Sequence, residues 1–418
     1  MYKLGIFAAL KHRDFRIYWT GVVTSVTGMQ MFMVVQAWLV YDLTGSALQL
    51  GLLAFFRAVP SVVLGLIGGV VADKVDQRRL LIATNTGVAC IYLILALLTL
   101  YDIIQVWHVL TSAFVIGGLQ AFNQPSRQAI FPNLIDRKDM MSAVALNSTV
   151  HPGTRIFAPL VAGILIDYVG VPRQGAGVAI LIVAFAYLAF VLMMLRVRLP
   201  QISRASTGNG LQNLLDGMKY IVVRPVFRIL ILTSFMNAFF GMSHVTLMPI
   251  FAEKLLGDAS GSGISLLFSV AGIGGLIGAF VGGSMGSIRG KEWLIIGGTG
   301  GYGVMLIAFA FVPWYGIALM LEWIAAIFLQ LFSVTAQTTL QSVVPDEFRG
   351  RVMGIWGMTH STMQPFGGMT MGALATFLGA SISVAIGGCI VAIWGFMGVG
   401  LQGDIRNISE DVAKLKTN

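Results

Sequence analysis

The sequence predicts an all-α membrane protein of twelve transmembrane helices in two six-helix, pseudo-symmetric halves. Three observations carry that expectation. Of 418 residues, 56% are apolar and only 11% are charged, whereas a soluble chain carries roughly a quarter charged residues. The apolar residues gather into runs of about 20, the length a helix needs to cross ~30 Å of hydrocarbon. The chain also matches itself at an offset of about half its length. Together these exclude a soluble enzyme and a disordered tail protein. Two cysteines, Cys90 and Cys389, are too few to staple a secreted scaffold of this size. The 50 glycines, 21 methionines and 26 phenylalanines suit helices that pack closely through small residues and fill the remaining space with soft or flat side chains.

The twelve runs centre on residues 17–41, 47–72, 80–100, 105–126, 143–166, 175–195, 227–251, 262–285, 293–312, 315–340, 351–377 and 380–402. The apolar stretch Gly5 to Leu10 is too short for a cleavable signal and is followed by Lys11, Arg13 and Arg16, so span 1 is expected to serve as its own targeting signal. Basic residues then test the topology. Before span 1 lie Lys3, Lys11, Arg13 and Arg16; after span 2, Lys74, Arg78 and Arg79; after span 4, Arg127, Arg137 and Lys138. Six more, from Arg196 to Arg228, separate spans 6 and 7. Arg289 and Lys291 lie between spans 8 and 9, Arg349 and Arg351 between 10 and 11, and Arg406, Lys414 and Lys416 at the end. The opposite loops hold only Arg173 and Lys254, and Arg57 and Arg155 fall inside spans. This bias predicts cytoplasmic termini and a cytoplasmic loop between spans 6 and 7. The net charge of +9 is thereby an inner-leaflet signal and not a nucleic-acid footprint.

At an offset of 213, Gln124, Gln128, Pro132, Met140 and Pro152 fall on Gln337, Gln341, Pro345, Met353 and Pro365. Gly65, Gly69, Leu81 and Gly87 likewise fall on Gly278, Gly282, Leu294 and Gly300, and Phe15-Arg16 matches Phe227-Arg228 at 212. One register across several elements implies two six-helix halves of the same orientation, 1–195 and 226–418, the second ending in a short cytoplasmic tail. In the linker 196–225, Leu211, Leu214, Leu215, Met218 and Ile221 recur at helical spacing, which predicts an amphipathic helix on the inner face.

Twelve spans, two parallel repeats and the run Gly69-Val-Val-Ala-Asp73-Lys-Val-Asp-Gln-Arg78-Arg79 resemble the major facilitator superfamily over essentially the whole chain. Tyr41-Asp-Leu-Thr-Gly-Ser46, Arg57-Ala-Val-Pro60 and Phe348-Arg-Gly-Arg351-Val-Met-Gly354 are similar to its bacterial branch of enterobactin exporters and macrolide efflux proteins. The resemblance implies export of a small organic molecule by alternating access. It also implies a cytoplasmic latch of Gly69, Asp73, Arg78 and Arg79, in which Asp73 accepts hydrogen bonds from the amino end of a helix in the other half. Arg78 and Arg79 would hold that carboxylate or meet anionic lipid heads, and Gly286 at the matching position makes the latch asymmetric. In span 5, Gly153-Thr-Arg155-Ile-Phe-Ala158-Pro159-Leu-Val-Ala162-Gly163 is similar to a glycine-proline motif of exporters and antiporters, with Ala158 and Ala162 in place of glycines. The same segment also reads as a bend in a packed helix.

Polar side chains at membrane depth are costly unless they face polar groups or water. On span 5, Asn147, His151 and Arg155 share one helical face; on span 11, Trp356, His360 and Gln364 do so. Span 4 carries Gln120, Asn123, Gln124 and Arg127, span 7 carries Asn237 and His244, and span 10 carries Glu322, Gln330, Ser333, Gln337 and Gln341. The resemblance implies that spans 1, 4, 7 and 10 surround a cavity, which Gln30, Gln36, Phe32, Trp38, Phe239 and Phe240 would complete. A sparse set of hydrogen-bonding groups in an apolar lining suits an amphipathic solute better than a sugar. The alternative is that the amides bond across packed helices.

Glu322 is the one carboxylate well inside a span and is the first candidate for the coupling proton, with Asp42 next. It lies about two turns from its helix end, where a salt bridge is the alternative. Arg57 is placed ~24 Å from Asp73 by the rise of ~1.5 Å per residue, where it is expected to pair with Asp42 as an outer gate or to snorkel. Arg155 is expected to attract an anionic solute or to brace the halves.

No enzyme constellation emerges. The five histidines lack metal-ligand spacing, and no glycine-rich loop with its lysine points to ATP, so neither a metal nor a cofactor is expected. The leading expectation is a proton-antiporting exporter of drugs or siderophore-like metabolites, a monomer in the inner membrane of a bacterium, with its substrate, protons and membrane lipids as partners. The alternative is a lipid or lysolipid flippase of the same fold, and a membrane sensor ranks third.

Overall fold

The computed structural model describes residues 7–197, 210–257, 260–285 and 290–399. Within the helices, the side chains at 66–74, 129, 132, 137, 210–214, 346, 360 and 361 lie outside the description. The order is α1 Arg13–Thr44, α2 Ala47–Lys74, α3 Gln77–Leu100, α4 Val106–Ile130, α5 Met140–Tyr168 and α6 Pro172–Arg196. A short helix α7, Gly210–Val223, occupies the segment expected to hold an amphipathic helix, and its Ile221 is buried while Leu215 and Met218 are exposed. The order continues with α8 Pro225–Met236, α9 Met248–Leu256, α10 Gly261–Ser284, α11 Lys291–Phe311, α12 Tyr315–Val343, α13 Asp346–Leu378 and α14 Ala380–Ile393.

Ten helical stretches among the described residues are long and apolar enough to cross a membrane. The composite Pro225–Leu256 and Ala380–Val399 are two of them. α4 and α13, of 25 and 33 residues, also have the length and stand beside the ten. In α4 the polar positions include Gln120, Asn123, Gln124, Arg127 and Gln128; in α13 they include Glu347, Arg349, Arg351 and Gln364. With these two the expected number of twelve long rods is reached. Prolines sit inside α2 (Pro60), α4 (Pro125), α5 (Pro152, Pro159) and α13 (Pro365) without ending the helices. Membrane helices tolerate them because neighbouring helices and hydroxyls satisfy the freed backbone groups.

The repeat is visible in where the elements begin and end. α2 and α10 open at Ala47 and Gly261, and α3 and α11 at Gln77 and Lys291, 214 residues apart in both cases. α4 and α12 close at Ile130 and Val343, 213 residues apart. The composite Pro225–Leu256 corresponds to the single helix α1, and the correspondence shows where it differs. Between α8 and α9 lie a π-helical turn, Asn237–Gly241, and a 3-10 turn, Met242–Leu247.

The chain forms two compact units. Unit 1 comprises residues 1–44, 56–207 and 260–269, and unit 2 comprises 45–55, 208–259 and 270–418. Unit 1 is built on α1 and α3 packed against α6, with α5 beside α1 and α4 beside α3. One of its apolar clusters includes Phe15, Tyr18, Val22, Leu81, Leu146, Phe190 and Met194. Unit 2 is built on α11 between α12 and α14, with α13 against the π and 3-10 turns. Its cluster includes Phe227, Leu230, Ile295, Phe332, Leu340, Val352 and Trp356. Side chains such as Phe185, Phe280 and Phe377 point outward, as lipid-facing positions should.

Candidate functional site

In unit 2 the π turn breaks the regular i to i−4 ladder and rotates the following 3-10 turn, which buries His244 at 3% exposure. Glu322, the eighth residue of α12, is equally buried. Its Oε2 lies 3.1 Å from His244 Nε2, and His244 Nδ1 lies 2.8 Å from the Gly241 carbonyl oxygen. A carbonyl only accepts, so Nδ1 carries a proton and donates it to Gly241. Nε2 therefore shares one further proton with the glutamate, either as imidazolium with carboxylate or as imidazole with carboxylic acid. The Tyr302 hydroxyl stands 3.5 Å from Nδ1, and Phe309 packs edge-on to the imidazole. In the ionic arrangement, removing one partner costs about 3–5 kcal/mol, because the other is left charged and buried. One turn earlier, Asn237 donates to Thr299 Oγ1 at 3.3 Å, and its own Oδ1 is buried without a partner.

Unit 1 holds a different polar set. On α4, Gln120 donates to the Tyr187 hydroxyl of α6 at 3.4 Å. Two turns on, Arg127 donates to Ser25 Oγ of α1 at 3.0 Å, and its guanidinium lies 5.1 Å from the centre of the Phe190 ring of α6. Between them Asn123 is 1% exposed, with neither amide atom hydrogen-bonded. Tyr92 meets the Tyr187 ring edge-on with ring centres 5.2 Å apart, and Phe32 packs tilted against Tyr92.

Several expected roles change. Arg57 does not meet Asp42. Asp42 ends α1 at the rim and binds Arg173 Nε at 2.8 Å, while Arg173 NH1 binds Asp102 at 3.0 Å. Arg57 lies three turns into α2, with its backbone carbonyl against Gly117 of α4, too deep for that contact. The exposed triad at Arg173 also leaves Glu322 as the buried carboxylate among the described residues. For Arg78 the described contacts are with backbone, and its expected latch partner Asp73 has its side chain outside the described residues. The Arg78 guanidinium donates to the carbonyls of Met194 at 2.9 Å and Leu195 at 2.6 Å, capping the end of α6. The Arg79 side chain is exposed, 3.9 Å from Asp76. The side chains of Gly69, Asp73 and His360, and Gly286 altogether, lie outside the described residues. Arg127, placed after span 4 by the charge pattern, belongs to the last turns of α4 and turns inward.

Gln30 and Gln36 are buried on α1 with Phe32 and Trp38. Gln120, Arg155, Gln330, Gln364, Phe239 and Phe240 are half-buried; Gln124, Asn147, His151, Gln337 and Gln341 are exposed. Sequence reasoning missed Tyr302, Tyr187 and Ser25 because tyrosine and serine do not stand out within an apolar run. It also missed Asp167, at the end of α5, whose two carboxylate oxygens accept from the backbone N–H of Gly261 and Ser262 at 2.7 and 2.8 Å. An acid at a helix terminus gave a signal, but its partner lies 94 residues away. His12, Asp136 and Asp139 come within 4.8 Å of one another, and His12 is bonded to Asp139 at 2.9 Å.

Long apolar helices with buried, partnered polar groups inside them define a multi-pass membrane protein. A bacterial homologue of the human lysosomal transporter Spinster, solved inward-facing and unoccupied, superposes with a TM-score of 0.72 at 16% identity, over 99% of each chain. The chain belongs to the transmembrane secretion effector family, whose profile matches residues 4–414, and it is not an enzyme. It is similar to the staphyloferrin A transporter of Staphylococcus aureus, at 28% identity over 86% of this chain and 90% of that one. It is also similar to macrolide efflux protein A of Streptococcus pyogenes, at 22% identity over 90% of this chain and 93% of that one.

Proposed function

We propose that the protein exports a small amphipathic organic compound, a drug or a siderophore-like metabolite, across the bacterial inner membrane in exchange for protons. The supporting relatives are named for staphyloferrin A transport and macrolide efflux. In this reading a monomer works by alternating access of the six-helix halves 1–195 and 226–418, with both termini in the cytoplasm. The observation that carries the proton role is the buried Glu322–His244 pair. With Nδ1 tied to Gly241, the gap between Nε2 and Oε2 holds one proton at rest. Losing it leaves a carboxylate facing an imidazole lone pair, which repels. A second proton converts the ion pair into one imidazolium beside a neutral acid and removes most of the attraction between the 3-10 turn and α12. Either change alters how two helices of unit 2 hold each other, which is how proton binding becomes movement.

The test uses purified protein in vesicles with an imposed pH gradient, following uptake of a fluorescent amphipathic dye. The wild type responds to the gradient. E322Q keeps downhill flux and loses the gradient-driven part. An E322Q protein with an unchanged gradient response overturns the proton role.

A further inference from the structure

We propose that unit 1 carries a cationic, hydrogen-bonding stripe that binds the acidic group of an anionic substrate. This rests on the exporter reading above and specifies its substrate class. The stripe follows one face of α4. Gly117 lies against the Arg57 backbone of α2, and then come Gln120, Asn123 and Arg127, three and four residues apart, over about 15 Å of helix. Arg57 and Arg127 both lie within electrostatic reach of the Tyr187 hydroxyl on α6, which Gln120 also meets.

Three observations point to a ligand. First, among the described residues neither Arg57 nor Arg127 has an ion-pair partner. Among the described carboxylates of unit 1, Asp42 and Asp102 are bonded to Arg173, Asp139 to His12 and Asp167 to the first turn of α10, while Asp76 and Asp136 lie near Arg79 and Lys138. Two cations inside membrane helices without a counter-charge are costly, and ring contact with Phe190 and one serine hydroxyl offset only part of that cost. Second, Asn123, between Gln120 and Arg127 along α4, is buried with both amide atoms unbonded, which is an uncommon state for a buried side chain. Third, Arg127 Nε is likewise buried without an acceptor. Donors without acceptors, aligned on one face and flanked by phenols, match a carboxylate or phenolate, which accepts bidentate bonds from guanidinium and a further bond from an amide.

Two xanthene dyes of opposite charge separate this reading from plain helix bracing: anionic fluorescein at mildly alkaline pH, and cationic rhodamine 6G. Fluorescence polarisation with the full-length protein in detergent is expected to show fluorescein bound more tightly, with its affinity falling as salt rises. R57Q and R127Q should each weaken fluorescein by about tenfold. R127K should recover part of that loss, and rhodamine 6G should be unaffected. A thermal melt verifies that each variant is folded, and N123L provides a variant that removes no charge. The proposal is overturned if rhodamine 6G binds as well as fluorescein, if fluorescein does not bind, or if folded R57Q and R127Q both bind it like the wild type. Gradient-driven export of rhodamine 6G alone would retain the exporter and remove the anion site. Binding of fluorescein with export of neither dye would do the reverse.

Discussion

Glu322 and His244 are 78 residues apart and meet only because a π turn rotates one of them into the other. Each was legible in the sequence as an ionisable group inside an apolar run, which is where membrane depth makes such groups costly. Their pairing was not, because helical periodicity assumes 3.6 residues per turn and the π and 3-10 turns depart from it on both sides of Gly241. The pair makes a thermodynamic prediction. H244A strands the glutamate and should lower unfolding stability by about 3 kcal/mol. Adding E322Q to H244A removes the stranded charge and should recover at least about 1 kcal/mol, a coupling typical of groups in direct contact. Denaturant titration of the single and double variants in detergent reads this directly. Strict additivity would mean that the two side chains do not interact. The arginines tell a similar story. Arg57 and Arg127 were visible as charges, yet the partner expected for Arg57 went to Arg173 because Asp42 lies at the rim and Arg57 three turns deep.

At the scale of elements, the irregular turns of the composite span are wider or narrower than an α-helix, and their neighbours accommodate them with glycine. A Cβ on Gly241 would lie 2.5 Å from Cε1 of Tyr302, and one on Gly387 of α14 would lie 2.5 Å from the Phe240 carbonyl. Gly367 of α13 lies against the Phe239 carbonyl in the same way. G241A should therefore displace the Tyr302 ring and cost about 1–3 kcal/mol, the usual range for overpacking. G275A, where a Cβ meets nothing within 4 Å, should cost much less. Equal losses of melting temperature for the two variants would contradict the packing argument. Opposite in kind is the Arg173 triad, which ties the ends of α1, α3 and α6. Its guanidinium is 39% exposed and Asp102 66%, so water and salt screen it. R173A should shift stability by less than about 1 kcal/mol, a difference a melt at high salt should erase. Glycine positions were readable in the sequence as close-packing signals, but which backbone each one receives depends on a fold-specific crossing.

For the whole molecule, hydropathy made the number of long rods legible, and the 213-residue self-match anticipated where many of them begin and end. α4 and α13 carry polar positions along their length, and several of the functional candidates lie on them. Orientation is the property that distribution of charge alone predicts. Of 27 basic residues, the charge pattern assigns 23, Arg127 in the last turns of α4 among them, to the expected side of the termini and of the segment before α8, and Arg173 and Lys254 alone to the other side. Moving that many cations outward against the membrane potential is strongly unfavourable, at about 2.3 kcal/mol per charge for each 100 mV. The turn between α3 and α4, Tyr101 to Gln105, should therefore face the outside, and Asp136, before α5, should face the cytoplasm. The native cysteines, Cys90 and Cys389, are exposed and must first be changed to alanine. In that background, D102C should react with a membrane-impermeant maleimide in intact cells, whereas D136C should react only after the membrane is opened. The reverse pattern would invert the topology and with it the direction in which the Glu322–His244 pair meets the proton gradient.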